Sequence, residues 1–251
     1  MHETLEIFKI LLDSEEGDFL EDKTFADALI GYVSTLSMAG LNADTEARMV
    51  ELLFAIAAKL RLQPEVLSTW FRPSSKGLED SPGSAQGGAS PKEDFPLFYL
   101  TVAYIHHDGR VGDFARTGLL YLIESAGQSA ALEQWIIESD LATLMASGLG
   151  ALYSQLSRKL MVAFDQGAVP AIISLSDSLP MDAPSDAEKT TSLDFKAHLS
   201  TFLSDLIFWQ DVLEHCTSVE VKHSLLDHFK FLFLQQLLYV YDFHLCGDNH
   251  R

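Results

Sequence analysis

Along almost all of this chain, apolar residues return every three or four positions, the spacing that lines one face of an α-helix. Between residues 44 and 62 the stripe is Met49, Leu52, Leu53, Ile56, Ala57 and Leu60, with Asp44 or Thr45 available as the N-terminal cap. Pro64 then suits the first turn of a short helix ending near Trp70-Phe71. A weaker helix is expected over 24–39, interrupted by Gly31 and by its Ser and Thr content. A further stripe begins at Val111 and continues through Phe114, Ala115, Gly118, Leu119 and Leu122. Residues 128–156 read as short helices broken by Gly148 and Gly150. Two long helices follow. One carries Leu199, Phe202, Leu203, Leu206, Ile207 and Leu213; the other runs from about Val219 to Tyr241 and is apolar nearly all round, the mark of a helix buried among neighbours. No alternating pattern longer than about four residues is present to make a strand. The expected fold class is all-α, and the succession of antiparallel helix pairs predicts an irregular α-solenoid of the HEAT or armadillo kind.

Breaks in the stripe divide the chain. Residues 73–94, PSSKGLEDSPGSAQGGASPKED, offer too little apolar surface to offset the cost of ordering them, and read as a disordered linker. Its Ser81-Pro82 and Ser90-Pro91 pairs could accept proline-directed phosphorylation, or the stretch is an unmodified surface loop. A second loop is expected at about 177–192, marked by Pro180 and Pro184. The expected organisation is N-terminal helices over 1–72, the linker over 73–94, a helical-repeat core over 95–241 and a tail over 242–251, all within one solenoid domain. Inside the core, His106-His107-Asp108-Gly109 reads as a helix end and a tight turn: Gly109 can take φ > 0 and Asp108 can bond the local backbone.

Charge narrows the partners. The 36 acidic against 17 basic residues give a net charge of −19, which opposes binding to a phosphate backbone or electrostatic adhesion to anionic lipid. A basic protein partner is compatible with it. Cys216 and Cys246 make no disulfide framework, so a reducing compartment is the default. The N-terminus lacks the basic and apolar regions of a signal peptide, and Phe229 to Leu245 is interrupted by Lys230, Gln235, Gln236, Asp242 and His244. A soluble, cytosolic protein is expected.

Reactive chemistry is poorly represented. Gly148-Leu149-Gly150 lacks the third glycine and the preceding strand of a dinucleotide loop, and no GxxxxGK[ST], GxSxG or HExxH occurs. His244, Cys246 and His250, with His215-Cys216, are a weak basis for a zinc site, which needs four convergent ligands. His223 and His228, five apart, project from different faces of a helix. His106 and His107 suit a helix C-terminus through the dipole. The pairs Asp205/Asp211 and Asp108/Asp113 read as exposed faces or caps rather than acid–base machinery. Arg110 and Arg116 are expected to bond helix ends or carboxylates between helices, and Trp209 to lie in the core, with a partner anchor as its alternative. No catalytic, cofactor-binding or metal-binding residue is assigned.

Four segments in order carry a resemblance: HHDGRVGDFARTGLLYLIES (106–125), ASGLGALYSQLSRKL (146–160), FLSDLIFWQDVLEHC (202–216) and SLLDHFKFLFLQQLLY (224–239). Together they resemble the FTS- and Hook-interacting protein family, the retinoic-acid-induced-16-like proteins, over roughly residues 41 to 240. The family's turn falls here on His107, Asp108, Gly109, Arg110, Val111 and Gly112, and its Ala-Arg-x-x-Leu-Leu helix on Ala115, Arg116, Leu119 and Leu120. Its Gly-Leu-x-x-Leu-Tyr-Ser-x-Leu run falls on Gly148, Leu149, Leu152, Tyr153, Ser154 and Leu156, with Trp209 in the third segment. The resemblance implies a non-enzymatic α-solenoid scaffold. Its implied partners are a Hook coiled-coil adaptor, FTS (an inactive relative of ubiquitin-conjugating enzymes) and an early-endosomal Rab GTPase, and its role is dynein-driven transport on microtubules. A helical-repeat module with an unrelated partner is the alternative. The family's helices continue past the position of Tyr239, so the chain is expected to be a fragment, a truncated gene model or a short relative, with a sticky apolar end near Phe231 to Tyr241.

Overall fold

The computed structural model describes residues 2–14, 19–73, 93–165 and 186–238. Helices α1 (His2–Asp13), α2 (Lys23–Met38) and α3 (Ala43–Leu62) come first, then a 3-10 helix, Pro64–Trp70. Past the linker stretch lie α4 (Pro96–Val102), α5 (Gly109–Ser125), α6 (Ala130–Glu138) and α7 (Leu141–Asp165). Helices α8 (Asp186–His215) and α9 (Val219–His228) follow, and α9 runs into a π-helical segment, Phe229–Leu238. The described chain is all-α apart from one two-residue antiparallel ladder, in which Arg72 pairs with Asp94 and Pro73 with Glu93.

Several element ends differ from the sequence reading, each for a local reason. Helix α2 passes through Gly31 without a break; the glycine costs about 1 kcal/mol against alanine, less than Leu29, Ile30, Val33 and Leu36 contribute by being buried. The cap of α3 is Asn42 rather than Asp44 or Thr45: its side-chain oxygen accepts the Thr45 N–H at 2.8 Å. Helix α4 ends at Val102, and residues 103–108 form an irregular turn before α5. Helix α7 is continuous where breaks at Gly148 and Gly150 were expected. Helix α8 already begins at Asp186, inside the stretch expected as a loop; Asp-Ala-Glu-Lys just after Pro184 is good helix-starting sequence. Residues 74–92, 177–185 and the tail 242–251 lie outside the described residues.

One contiguous apolar cluster extends from Leu5 of α1 to Phe233 of the π-helical segment. Its N-terminal part includes the α3–α5 contact, the most extensive among the described residues, where Gly118 lets the two backbones approach until its missing Cβ would lie 3.4 Å from the Phe54 Cα. Aromatic rings fill the centre: Phe95 packs on Phe71 at 4.9 Å and on Phe98 and Trp135 at 5.9 Å. The Phe71–Phe95 contact and the ladder beside it bring the two ends of the linker stretch together. Helices α7 and α8 pack on each other and on the π-helical segment, with Tyr153, Phe202 and Phe233 meeting at 6.0 to 6.3 Å.

Candidate functional site

Chemistry concentrates where the turn before α5 meets α7 and α8. Gly109, with φ of 63°, turns the chain into α5 in a conformation that side chains bearing a Cβ rarely adopt. Asp108 occupies the cap position and is exposed, but its side chain makes no capping hydrogen bond, against expectation. Three residues after Gly109, Gly112 lies so close to the turn that a Cβ would stand 1.9 Å from the His107 carbonyl oxygen. No other residue fits there unless the backbone moves.

Arg116 is the hub. It is 7 % exposed, yet a guanidinium offers five donors, and the fold uses them in three directions. One nitrogen donates to the carbonyls of Ile105 and His107 and to Asp205 Oδ1 at 3.2 Å, and the other to Asp113 Oδ1 at 2.7 Å. Asp205, on α8, is 2 % exposed, and its second oxygen meets His106 Nδ1. The expectation that Asp205 lies on an exposed face is therefore corrected: it is a buried carboxylate held by a guanidinium and an imidazole. His106 likewise serves Asp205 rather than a helix dipole. Its ring lies over Gly148 of α7, where a Cβ would stand 1.8 Å from Nε2. One cluster thus ties the α4–α5 turn, α5, α7 and α8 together.

Arg110 points the other way. It pairs with Glu51 of α3 at 3.1 Å and lies over the Phe114 ring at 5.0 Å. Lys9 of α1 reaches the same carboxylate at 2.8 Å; this hydrogen bond, with the charges of Lys9, Arg110 and Arg48, holds the Glu51 carboxyl below its ordinary range, and the same bond, with the carboxylates of Glu51, Glu6 and Asp13, raises the Lys9 amine. Ala115 and Leu149 are buried, Tyr153 is half-buried, and Trp209 is buried against Phe229 at 5.1 Å, in the core as expected. Burial also pushes the Cys216 thiol up, which disfavours its thiolate.

The structure therefore brings Gly112, Arg116 and Gly148 to one joint, with Asp108 and Gly109 in its turn, while Arg110 pairs toward α3 and Ala115, Leu149, Tyr153 and Trp209 pack in the apolar cluster. Sequence reasoning missed Asp205, His106 and Glu51 as partners. Asp205 left a readable signal: it stands three residues from both Phe202 and Phe208 and four from Trp209, on the apolar stripe itself. Among the described residues no group of three or more His, Cys, Asp or Glu side chains could hold a metal ion. No described helix is long and apolar enough to cross a membrane. His244, Cys246 and His250 lie outside the described residues.

These features define a helical packing protein whose buried polar cluster joins helices. The family of retinoic acid induced 16-like proteins matches residues 1–241, and the chain belongs to it. It is 27 % identical over 187 residues to FHF complex subunit HOOK-interacting protein 1A of Mus musculus, and 29 % over 160 residues to that of Homo sapiens. An FHIP family protein of Drosophila grimshawi is 25 % identical over 168 residues. The three matches cover 70 %, 63 % and 64 % of this chain, but only 16 %, 14 % and 16 % of the relatives' own lengths.

Proposed function

We propose that this chain is a non-enzymatic adaptor built as an irregular α-solenoid of antiparallel helix pairs. Its helices hold a Hook-type coiled-coil adaptor and FTS, and link them, through a Rab GTPase, to the cytoplasmic face of early endosomes for dynein-driven movement along microtubules. The observation that carries this reading is the family match over residues 1–241, among relatives named as HOOK-interacting subunits. The joint supports it physically. A scaffold needs helices held in fixed relation, and a hydrogen-bonded buried ion cluster supplies orientation rather than reactivity. A helical-repeat module with a different partner is the second reading, favoured by the small share of the relatives' length that is matched.

Affinity purification of the tagged full chain from cells that express it separates the two. The adaptor reading expects a Hook-type protein and FTS among the recovered proteins. It expects slowed early-endosome movement when the chain is removed. Recovery of neither protein, with endosome movement unchanged, overturns it.

A further inference from the structure

A groove of about 300 Å³ runs between α5 and α8, floored by Leu120 and Phe208 and rimmed by Asp113 and Asp211. Beside it α8 turns two large apolar side chains to solvent, Leu203 at 47 % and Ile207 at 59 % exposure, one helical turn apart. Scattered exposed apolar residues are ordinary, but here Ile207 lines the groove with Leu120 and Phe208, and Leu203 stands one turn away. The charge around it is acidic. Asp113 is 69 % exposed, Asp211 stands on the opposite wall, and Asp205 lies beneath. The cation among these lining residues, Arg116, is already shared between Asp205 and Asp113.

We propose that this groove seats an amphipathic helix of a protein partner, with Leu- or Ile-type anchors on Leu120, Ile207 and Phe208 and flanking Lys or Arg beside Asp113 and Asp211. A second copy of the chain would bring its own charge of −19 to an acidic face, and nucleic acid or anionic lipid would be repelled likewise. A basic amphipathic helix satisfies both the apolar surface and the carboxylates. The groove takes this occupant by its own chemistry, whether or not the partner is a Hook-type protein.

The probe is a fluorescein-labelled peptide of about 18 residues with a Leu stripe at helical spacing flanked by Lys, compared with its Glu-flanked counterpart. Fluorescence anisotropy on the full chain is expected to show saturable binding of the Lys peptide and at least tenfold weaker binding of the Glu peptide. Leu203→Asp with Ile207→Asp is expected to weaken the Lys peptide about tenfold or more. Asp211→Lys should weaken it too and improve the Glu peptide, while Ile7→Asp with Ile10→Asp on α1 should leave it unchanged. Hydrogen exchange on the unaltered chain gives a readout free of folding defects: the peptide is expected to slow amides within 113–120 and 203–211. Equal affinity for the two peptides, no protection of those amides, or a self-associated chain that Ile207→Asp turns monomeric would each overturn the proposal.

Discussion

Arg116 and Asp205 form a pair whose cost of disruption follows from burial. A carboxylate taken out of water must be compensated by donors, and removing one partner leaves the other charge uncompensated. Arg116→Met is therefore expected to destabilise the chain by about 3–5 kcal/mol in guanidinium unfolding, and Arg116→Lys to recover only part of that. Asp205→Asn should cost less than Arg116→Met, since the amide keeps the shape and stays neutral. A loss below about 1 kcal/mol for Arg116→Met would place Asp205 in solvent and contradict the structure. Arg116 was legible as a residue that bonds helix ends or carboxylates between helices, and it does both. Asp205 was not recognised as its partner. The two are 89 residues apart, and one sequence supplies faces, not pairings. Asp108 shows the opposite limit: its position at the start of α5 was readable, but the capping bond depends on a side-chain rotamer.

Helices survived where residue-level penalties predicted breaks. A glycine costs a helix about 1 kcal/mol against alanine, and burial of one large apolar side chain contributes more, so α2 and α7 continue through Gly31 and Gly148. Gly148 is present for space rather than for a turn, because the His106 ring occupies the volume a methyl would fill. The consequence is a coupling between α7 and the turn before α5. Gly148→Ala is expected to cost about 1–3 kcal/mol in the natural background. Once His106→Ala has emptied the site, the same change should be neutral or stabilising by up to about 1 kcal/mol. Guanidinium unfolding of the four proteins measures the difference, and a coupling below about 0.5 kcal/mol would show that the ring does not sit on that glycine. Helical period revealed where elements lie; neighbours decide where they end.

For the whole molecule, the all-α class was legible because the apolar stripe recurs along the described chain, and the family because its motif segments occur in order over most of the 251 residues. The groove between α5 and α8 was hidden, since Leu203 and Ile207 share the same apolar pattern as the buried residues of α8 and only the packing separates them. The proposed adaptor role requires that this assembly of helices offer a surface to a Hook-type protein. Isothermal titration calorimetry of the purified chain against the purified C-terminal region of a Hook-type coiled coil tests it most directly. Saturable one-site binding is expected, with a Kd of about 1 μM or tighter, near −8 kcal/mol. Absence of heat and of a co-eluting complex at about 100 μM of each protein would contradict it.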